Sequence, residues 1–466
     1  MNFGELRFWE LLFAGLAVVL GLRWVCALAA PSRLALFDKC GLLSLGLFLL
    51  LCVSWITFAI FLVVALTTYA GLSLILKRCP TAALKWLPVL VGLQVLPLFF
   101  FKYADFTLNQ VLGAQWGFCR GLLIPVGISF YTFQKVAFVV DVLVLRQPLP
   151  RFLDYMNFAG FFPQIVAGPI ERKANLLPQM ENFRFRWSPT DLNEGASWLA
   201  VGLFMKCGLA DNLAQYFDGN FSTNPFLLWK ANVLFGLRIY FDFAGYSLVA
   251  VGVARCFGVR LTLNFRSPYC ATSVGEFWRR WHITLSEWFR DYLYIPLGGG
   301  RTRRWAFNLA VVFIVSGVWH GAGWNFVIWG ALHAGLLIAS RVGRQLPAPA
   351  WLTWALTMLG VFFAWMSFYE TNTLMLLRKM SVLLQPSGYT FGALRAAVQE
   401  FASPNGIVLA FFLGLTLVTL LAEWLSVRRR EHEYAWLRHP LALCILVVLT
   451  VELAPGKNNA FIYFAF

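Results

Sequence analysis

Two of the chain's five histidines, His282 and His320, stand in surroundings where an imidazole is costly to keep. Imidazole is the side chain best matched to moving a proton near neutral pH, so these two positions are the first candidates for chemistry. His282 lies in EFWRRWHITLSEWFRDYLYIPLGGG, residues 276–300. At helical spacing, Trp278, Trp281, Leu285 and Trp288 form an apolar stripe over residues 276–295, and Arg279, His282, Ser286 and Arg290 form a polar row beside it. Glu276 and Arg280 make an i,i+4 ion pair in the favourable order, and Pro296 with Gly298, Gly299 and Gly300 stops the helix. The arginines and tryptophans alone would suit an amphipathic helix on a membrane surface, its arginines meeting lipid phosphates. The histidine among them is what such a helix does not need.

His320 lies in SGVWHGAGW, residues 316–324, within a stretch (305–339) that is apolar apart from small polar residues and His333. Gly317, Gly321 and Gly323 allow close helix packing or a local break. A histidine there is either a packing residue bonded to a backbone carbonyl or a proton carrier lining a cavity. The glycines, with Trp319 and Trp324, favour the cavity. His333 follows thirteen residues later, about 220° around an ideal helix, so it is expected off His320's face as a structural or supporting residue. His432 and His439 lie among loop arginines and read as solvated.

The elements that must position these residues are membrane helices. In 466 residues, 59% are hydrophobic and only 13% charged. Long apolar runs recur at 8–30, 41–76, 86–101, 119–145, 194–210, 226–254, 305–340, 350–369, 405–427 and 440–454. Several exceed the ~20 residues that cross a bilayer as a helix, and the shorter ones, broken by Gly and Pro, suit tilted or re-entrant pieces. The expectation is an all-α polytopic membrane protein of one domain, 1–466, with roughly ten to twelve spans. Residues 8–30 read as a retained first span: Ala27-Leu28-Ala29 resembles a cleavage site, but Glu5 and Glu10 spoil a signal peptide's basic start.

The net charge of +16 does not call for nucleic acid, because arginines and lysines held in cytoplasmic loops set membrane orientation. Residues 255–304 hold nine arginines against three acids, which places that segment on the cytoplasmic side. The segment 151–178 is apolar until Gly168-Pro169 turns it into Glu171-Arg172-Lys173, and reads as a re-entrant element, with an amphipathic surface helix as the alternative. Residues 182–193 link it to the next helix, which Ser188 or Thr190 can N-cap. The nine cysteines are scattered without metal-ligand spacing, so neither disulfides nor a metal site is expected. A G-x-S-x-G elbow, a Walker A loop, a G-x-G-x-x-G run and an H-E-x-x-H helix are all absent, which argues against serine-hydrolase, ATP, NAD and zinc chemistry.

Seven blocks in order resemble the membrane-bound O-acyltransferase family, in its bacterial branch of alginate O-acetyltransferases and teichoic acid D-alanyl transfer proteins. They are IPVGISFYTFQ (124–134), FFPQIVAGPIER (161–172), YFDFAGYS (240–247), NFRSPY (264–269), the 276–299 block, SGVWHGAGWNFVIWGALH (316–333) and FIYFAF (461–466). They span residues 122–466, and residues 1–121 match only as divergent hydrophobic helices. The resemblance implies a helical bundle with re-entrant elements around a thinned catalytic chamber in the cell inner membrane. It makes His320 the essential histidine and His282 a second one. It implies acetyl-CoA or another acyl thioester as substrate, with no tightly bound cofactor, and Arg279, Arg280, Ser286, Arg290, Trp319 and Trp324 as donor-binding or site-lining residues. It further implies an exported or envelope polysaccharide as acceptor, an extracytoplasmic SGNH-hydrolase-like partner, and Tyr463 as an acyl relay, for which an aromatic anchor at the interface is the alternative. D-alanyl transfer to teichoic acid, transfer to peptidoglycan, and a polysaccharide export subunit are the rival readings.

Overall fold

The computed structural model describes residues 3–343, 348–455, 459 and 461–462. All regular structure among them is helical. Among the described residues, eight helices are long and apolar enough to cross a membrane, and two apolar helices are shorter. That is fewer than the ten to twelve spans expected, because several apolar runs do not continue as single helices. The run 119–145 yields only Ile128–Leu143, and the run 194–210 passes into a wider-wound π-helical segment at Phe204–Ala210.

The chain divides into two compact units, residues 1–199 with 250–262, and residues 200–249 with 263–466. In the first, α1 (Leu6–Ala29), α2 (Leu34–Val53), α3 (Trp55–Arg78) and α4 (Leu87–Leu98) are spanning helices, α4 together with its flanking turns. They are followed by α5 (Ile128–Leu143), α6 (Phe152–Ala159), α7 (Phe162–Ile165), α8 (Lys173–Glu181) and α9 (Pro189–Leu203). Residues 154–171 are buried throughout although none of their helices could span, which is not the half-exposed pattern of a surface helix. Glu171 is 2% exposed and accepts hydrogen bonds from the Asn175 amide and the Thr262 backbone N–H. Ser188 caps α9, its hydroxyl accepting from the Asp191 N–H at 3.0 Å. Asp38, fully buried, is paired with Arg23 at 2.7 Å.

The second unit holds α10 (Asp211–Gln215), the larger part of α11 (Pro225–Cys256), α12 (Val274–Arg280), α13 (Ile283–Phe289), α14 (Trp305–His320), α15 (Trp324–Val342) and α16 (Ala350–Tyr369). It continues through α17 (Thr373–Leu384), α18 (Phe391–Gln399), α19 (Pro404–Arg428) and α20 (Pro440–Leu453). The spanning helices here are α11, α15, α16 and α19, with α14 and α20 the shorter apolar pair. α11 is the most buried spanning helix, 89% against at most 44% for the others, and it carries charge into the core. Its Asp242 lies 2.7 Å from Lys206 Nζ, which also meets Asp211 at 2.7 Å, and all three side chains are at most 3% exposed. A buried cation between two carboxylates persists only if the three are kept together.

Candidate active site

His320 is the last residue of α14, and glycine packing puts it there. A Cβ on Gly317 would sit 2.1 Å from the Phe326 carbonyl oxygen, and one on Gly330 would sit 2.4 Å from that of Phe313. Both obstacles are backbone, so α14 and α15 cross at a distance only glycine permits. The turn between them holds His320 at 3% exposure, its ring against Trp319 at 5.0 Å, Trp329 at 4.9 Å and Phe368 at 5.2 Å.

His282 does not lie in a continuous helix, contrary to the spacing argument. α12 stops at Arg280, Trp281 is extended, His282 takes a left-handed conformation (φ 43°, ψ 55°), and α13 starts at Ile283. The break is stable because Asn264 supplies the acceptors that the preceding turn would have given. The Ile283 N–H donates to its carbonyl at 2.9 Å, and the Thr284 hydroxyl donates to its Oδ1 at 2.6 Å. Upstream, Ser273 caps α12, while Glu276 accepts from the Thr272 N–H and hydroxyl and from Arg280. Burial would raise the Glu276 pKa, but these hydrogen bonds and the Arg280 charge outweigh it and hold it below the usual carboxylate range. The kink dissolves the two expected stripes. Trp281 turns onto Phe277, Phe265 and Trp365, and His282, 1% exposed and outside the spanning helices, faces Phe243 at 4.7 Å. Burial pushes its pKa down to about 3, so the imidazole is neutral.

The two histidines meet across one indole: Trp319 lies 6.0 Å from His282 and 5.0 Å from His320, ring centre to ring centre. His333 is closer to His320 than helical geometry predicts. The 220° argument assumed one helix, but α14 ends at His320 and α15 folds back, so Trp329 touches both histidines, His333 at 4.7 Å.

Arg279, Ser286 and Arg290 line one cavity of about 370 Å³, with Trp278, Phe313 and Ser316 among its walls. The arginines are not equivalent. Arg290 is bonded to Asp291 at 2.7 Å, which raises its pKa, and Arg280, outside the lining, is engaged by Glu276 and the Arg266 carbonyl. Arg279 has no acidic partner among the described residues, which leaves its charge available to an anion. Trp324 is 49% exposed at the start of α15 and is not part of this lining.

Tyr463 lies outside the described residues. Just before it, Phe461 is fully buried, stacked on Tyr246 at 4.4 Å and packed on Phe243 at 5.4 Å, the same phenylalanine that faces His282. The Ile462 N–H donates to Asp242 at 2.7 Å, so the Lys206 cluster also holds the tail. Spacing missed Asn264, Trp329, Lys206 and Asp242. Charge inside apolar runs was the available signal for the last two. Among the described residues no group of His, Cys, Asp and Glu could hold a metal, and the nine cysteines are free.

Replacing Asn264 with alanine is expected to destabilise the protein by about 1–3 kcal/mol, since it removes the buried Oδ1 that accepts from the Thr284 hydroxyl and backbone N–H. Thermal unfolding of the detergent-purified protein measures this, and an unchanged midpoint would show that the break does not depend on the Asn264 side chain.

A helical chain with eight helices apolar enough to span, among the described residues, and two histidines buried in its second unit has the build of an integral membrane protein. The sequence model of MBOAT, the membrane-bound O-acyltransferase family, matches residues 48–378, and the chain belongs to that family. The chain is 30% identical to the peptidoglycan O-acetyltransferase of Helicobacter pylori, over 82% of its own length and 83% of the relative's. It is 34% identical to a probable alginate O-acetylase, AlgI, of Pseudomonas putida (82% and 85%). It is 30% identical to the teichoic acid D-alanyltransferase of Bacillus subtilis (54% and 69%). The protein is therefore a multi-pass membrane acyltransferase.

Proposed function

We propose that the protein transfers an acetyl group from acetyl-CoA, bound from the cytoplasmic side of the inner membrane, to hydroxyls of a cell-envelope or exported polysaccharide. The observation that carries this reading is the placement of two buried histidines on either side of Trp319, in the same unit as a cavity with an uncommitted arginine. The names of the H. pylori and P. putida relatives support acetyl as the group and a glycan as the acceptor. Arg279 meets the donor's phosphates. His320 takes the proton from the acceptor hydroxyl as its oxygen attacks the thioester carbonyl carbon. Neutral His282 donates a hydrogen bond to the oxyanion. The C–S bond then breaks, and the imidazolium of His320 returns its proton to the departing thiolate.

In the relay form of this reading the hydroxyl that attacks the thioester is the Tyr463 phenol, and a partner of SGNH-hydrolase type outside the membrane then moves the acyl group from the tyrosyl ester to a polymer hydroxyl, freeing the phenol. Support for the relay is the anchoring of Phe461 and Ile462 beside Phe243, which itself packs on His282. Tyr463→Phe is expected to abolish both delivery to the polymer and turnover of the donor, while leaving donor binding unchanged. Full activity of that variant, with no acyl adduct on Tyr463 by mass spectrometry, would remove the relay. D-alanyl transfer is the second reading, favoured by the B. subtilis relative.

The deciding experiment measures ester-linked acetate and D-alanine on purified envelope and secreted polysaccharides from wild-type and deletion cells. Loss of acetate from one polymer fixes group and acceptor together. Unchanged acetate with lost D-alanine transfers the assignment to the second reading.

A further inference from the structure

The apolar run of α19 carries one carboxyl that the mechanism above does not use. Glu423 is fully buried, and a carboxyl inside a spanning helix is costly unless it is hydrogen-bonded. Its partners are two tyrosines, also fully buried. The Tyr240 hydroxyl lies 2.9 Å from both Glu423 oxygens, and the Tyr240 and Tyr434 hydroxyls are 3.3 Å apart. The Tyr434 hydroxyl in turn donates to the Phe265 carbonyl at 3.3 Å. The polar chain therefore runs from α19 through α11 to the backbone of residue 265, next to Asn264.

The segment it reaches is paired with the turn at His282. The Arg266 N–H donates to the Arg280 carbonyl at 3.0 Å, and the Ile283 N–H donates to the Asn264 carbonyl at 2.9 Å. Residues 264–266 thus run beside 280–283, and the Phe265 ring packs on Phe243 at 5.0 Å and His282 at 6.4 Å. At the surface Arg266 pairs with Glu433 at 3.2 Å, so residues 433 and 434 hold 265 and 266 both outside and inside. Backbone strain marks the same group. Among the described residues, six that are not glycine have positive φ. Gln115, Arg146 and Arg430 are exposed, whereas the buried three, Ser267 (49°), His282 (43°) and Tyr434 (56°), all belong to this network. Such conformations are disfavoured and persist only where their surroundings fix them.

We propose that Glu423 is a positioning residue for His282: through Tyr240 and Tyr434 it fixes segment 264–267, and that segment holds the left-handed turn that presents the imidazole. This rests on the reading of His282 as donor to the oxyanion. Glu423 itself touches no reacting atom. A donor to an oxyanion works only if it is aimed before the charge develops, and a misplacement of about 1 Å can lose about 10²-fold. The aim here depends on φ and ψ of a residue outside any helical ladder, so its anchor must come from elsewhere in the fold. That role needs hydrogen bonding and not charge. Glutamine, which keeps a donor and an acceptor at position 423, therefore preserves it.

The test compares Glu423→Ala, Glu423→Gln and Tyr434→Phe, the last a loss of one oxygen, in the full-length protein in lipid nanodiscs. Hydrogen exchange measured by mass spectrometry reports on the turn directly. Glu423→Ala and Tyr434→Phe are expected to speed exchange of the Ile283 and Thr284 amides by about tenfold, the scale of one lost buried hydrogen bond, and to leave α15 unchanged. Glu423→Gln is expected to stay within about twofold of wild type. Unchanged exchange at 283–284 overturns the proposal. Equal acceleration in α15 does so too, because it marks a general loosening. A rate cycle with His282→Asn then measures function, through transfer of the group that wild-type membranes load, acetate or D-alanine. Tyr434→Phe is expected to lower kcat by about tenfold at unchanged donor KM. With asparagine already at 282 the same change should alter kcat by less than about twofold, because it acts through the missing ring. Equal losses in both backgrounds overturn the positioning role and leave the His282 reading standing. His282→Asn as active as wild type removes that reading, and the positioning role with it.

Discussion

Alanine at His320 is expected to lower acyl transfer by about 10²–10⁴-fold, the usual contribution of a positioned general base. The effect should be this large because nothing nearby can replace it. Its neighbours Trp319, Trp329 and Phe368 offer no second base, and His282, on the far side of Trp319, is made a weak base by the burial that pushes its pKa down to about 3. The variant should still insert and fold, since His320 ends its helix and the hairpin is held by Gly317 and Gly330. His320→Gln is the sharper control, keeping polar atoms of similar reach but no basic nitrogen. Acetate transfer assayed in membranes, alongside unfolding midpoints, separates the two effects. A glutamine variant within about tenfold of wild type would take the proton-transfer role away from His320.

Lys206→Met is expected to destabilise the second unit by about 3–5 kcal/mol, the cost of breaking a buried ion pair from one side. The methionine leaves Asp211 and Asp242 facing each other without their shared cation, each at most 3% exposed. Asp242 also accepts from the Ile462 N–H, so the disturbance reaches the tail. The expected signature is a lowered unfolding midpoint together with faster carboxypeptidase trimming from the C-terminus. Adding Asp242→Asn should recover part of the loss by removing one uncompensated charge. A single variant that melts with wild type would mean that the cluster does not hold the unit.

Much of this was legible in the chain, and what was not has identifiable causes. The apolar runs announced a helical membrane protein, and His320 was found because glycines and tryptophans crowd it. The arginine row divides in the fold. Arg279, Ser286 and Arg290 share a cavity, but Arg280 is spent on Glu276. Helical periodicity failed at His282 because it counts residues and cannot see Asn264, eighteen positions upstream, drawing the chain out of its ladder. The same blindness misplaced His333, since the spacing argument carried a helix straight through Gly321–Gly323. Lys206 and Asp242, far apart in sequence, were invisible as a pair until the fold brought them together.

The left-handed backbone at His282 bears on how any mutational scan of this enzyme is interpreted. Alanine there removes an imidazole but keeps the β-carbon that histidine already holds in a region disfavoured by roughly 1–2 kcal/mol. Glycine and asparagine remove the imidazole while tolerating the turn. The gap between His282→Ala and His282→Gly is thus a measure of what the kink costs the chain, and the activity that His282→Gly or His282→Asn lacks is a measure of the ring alone.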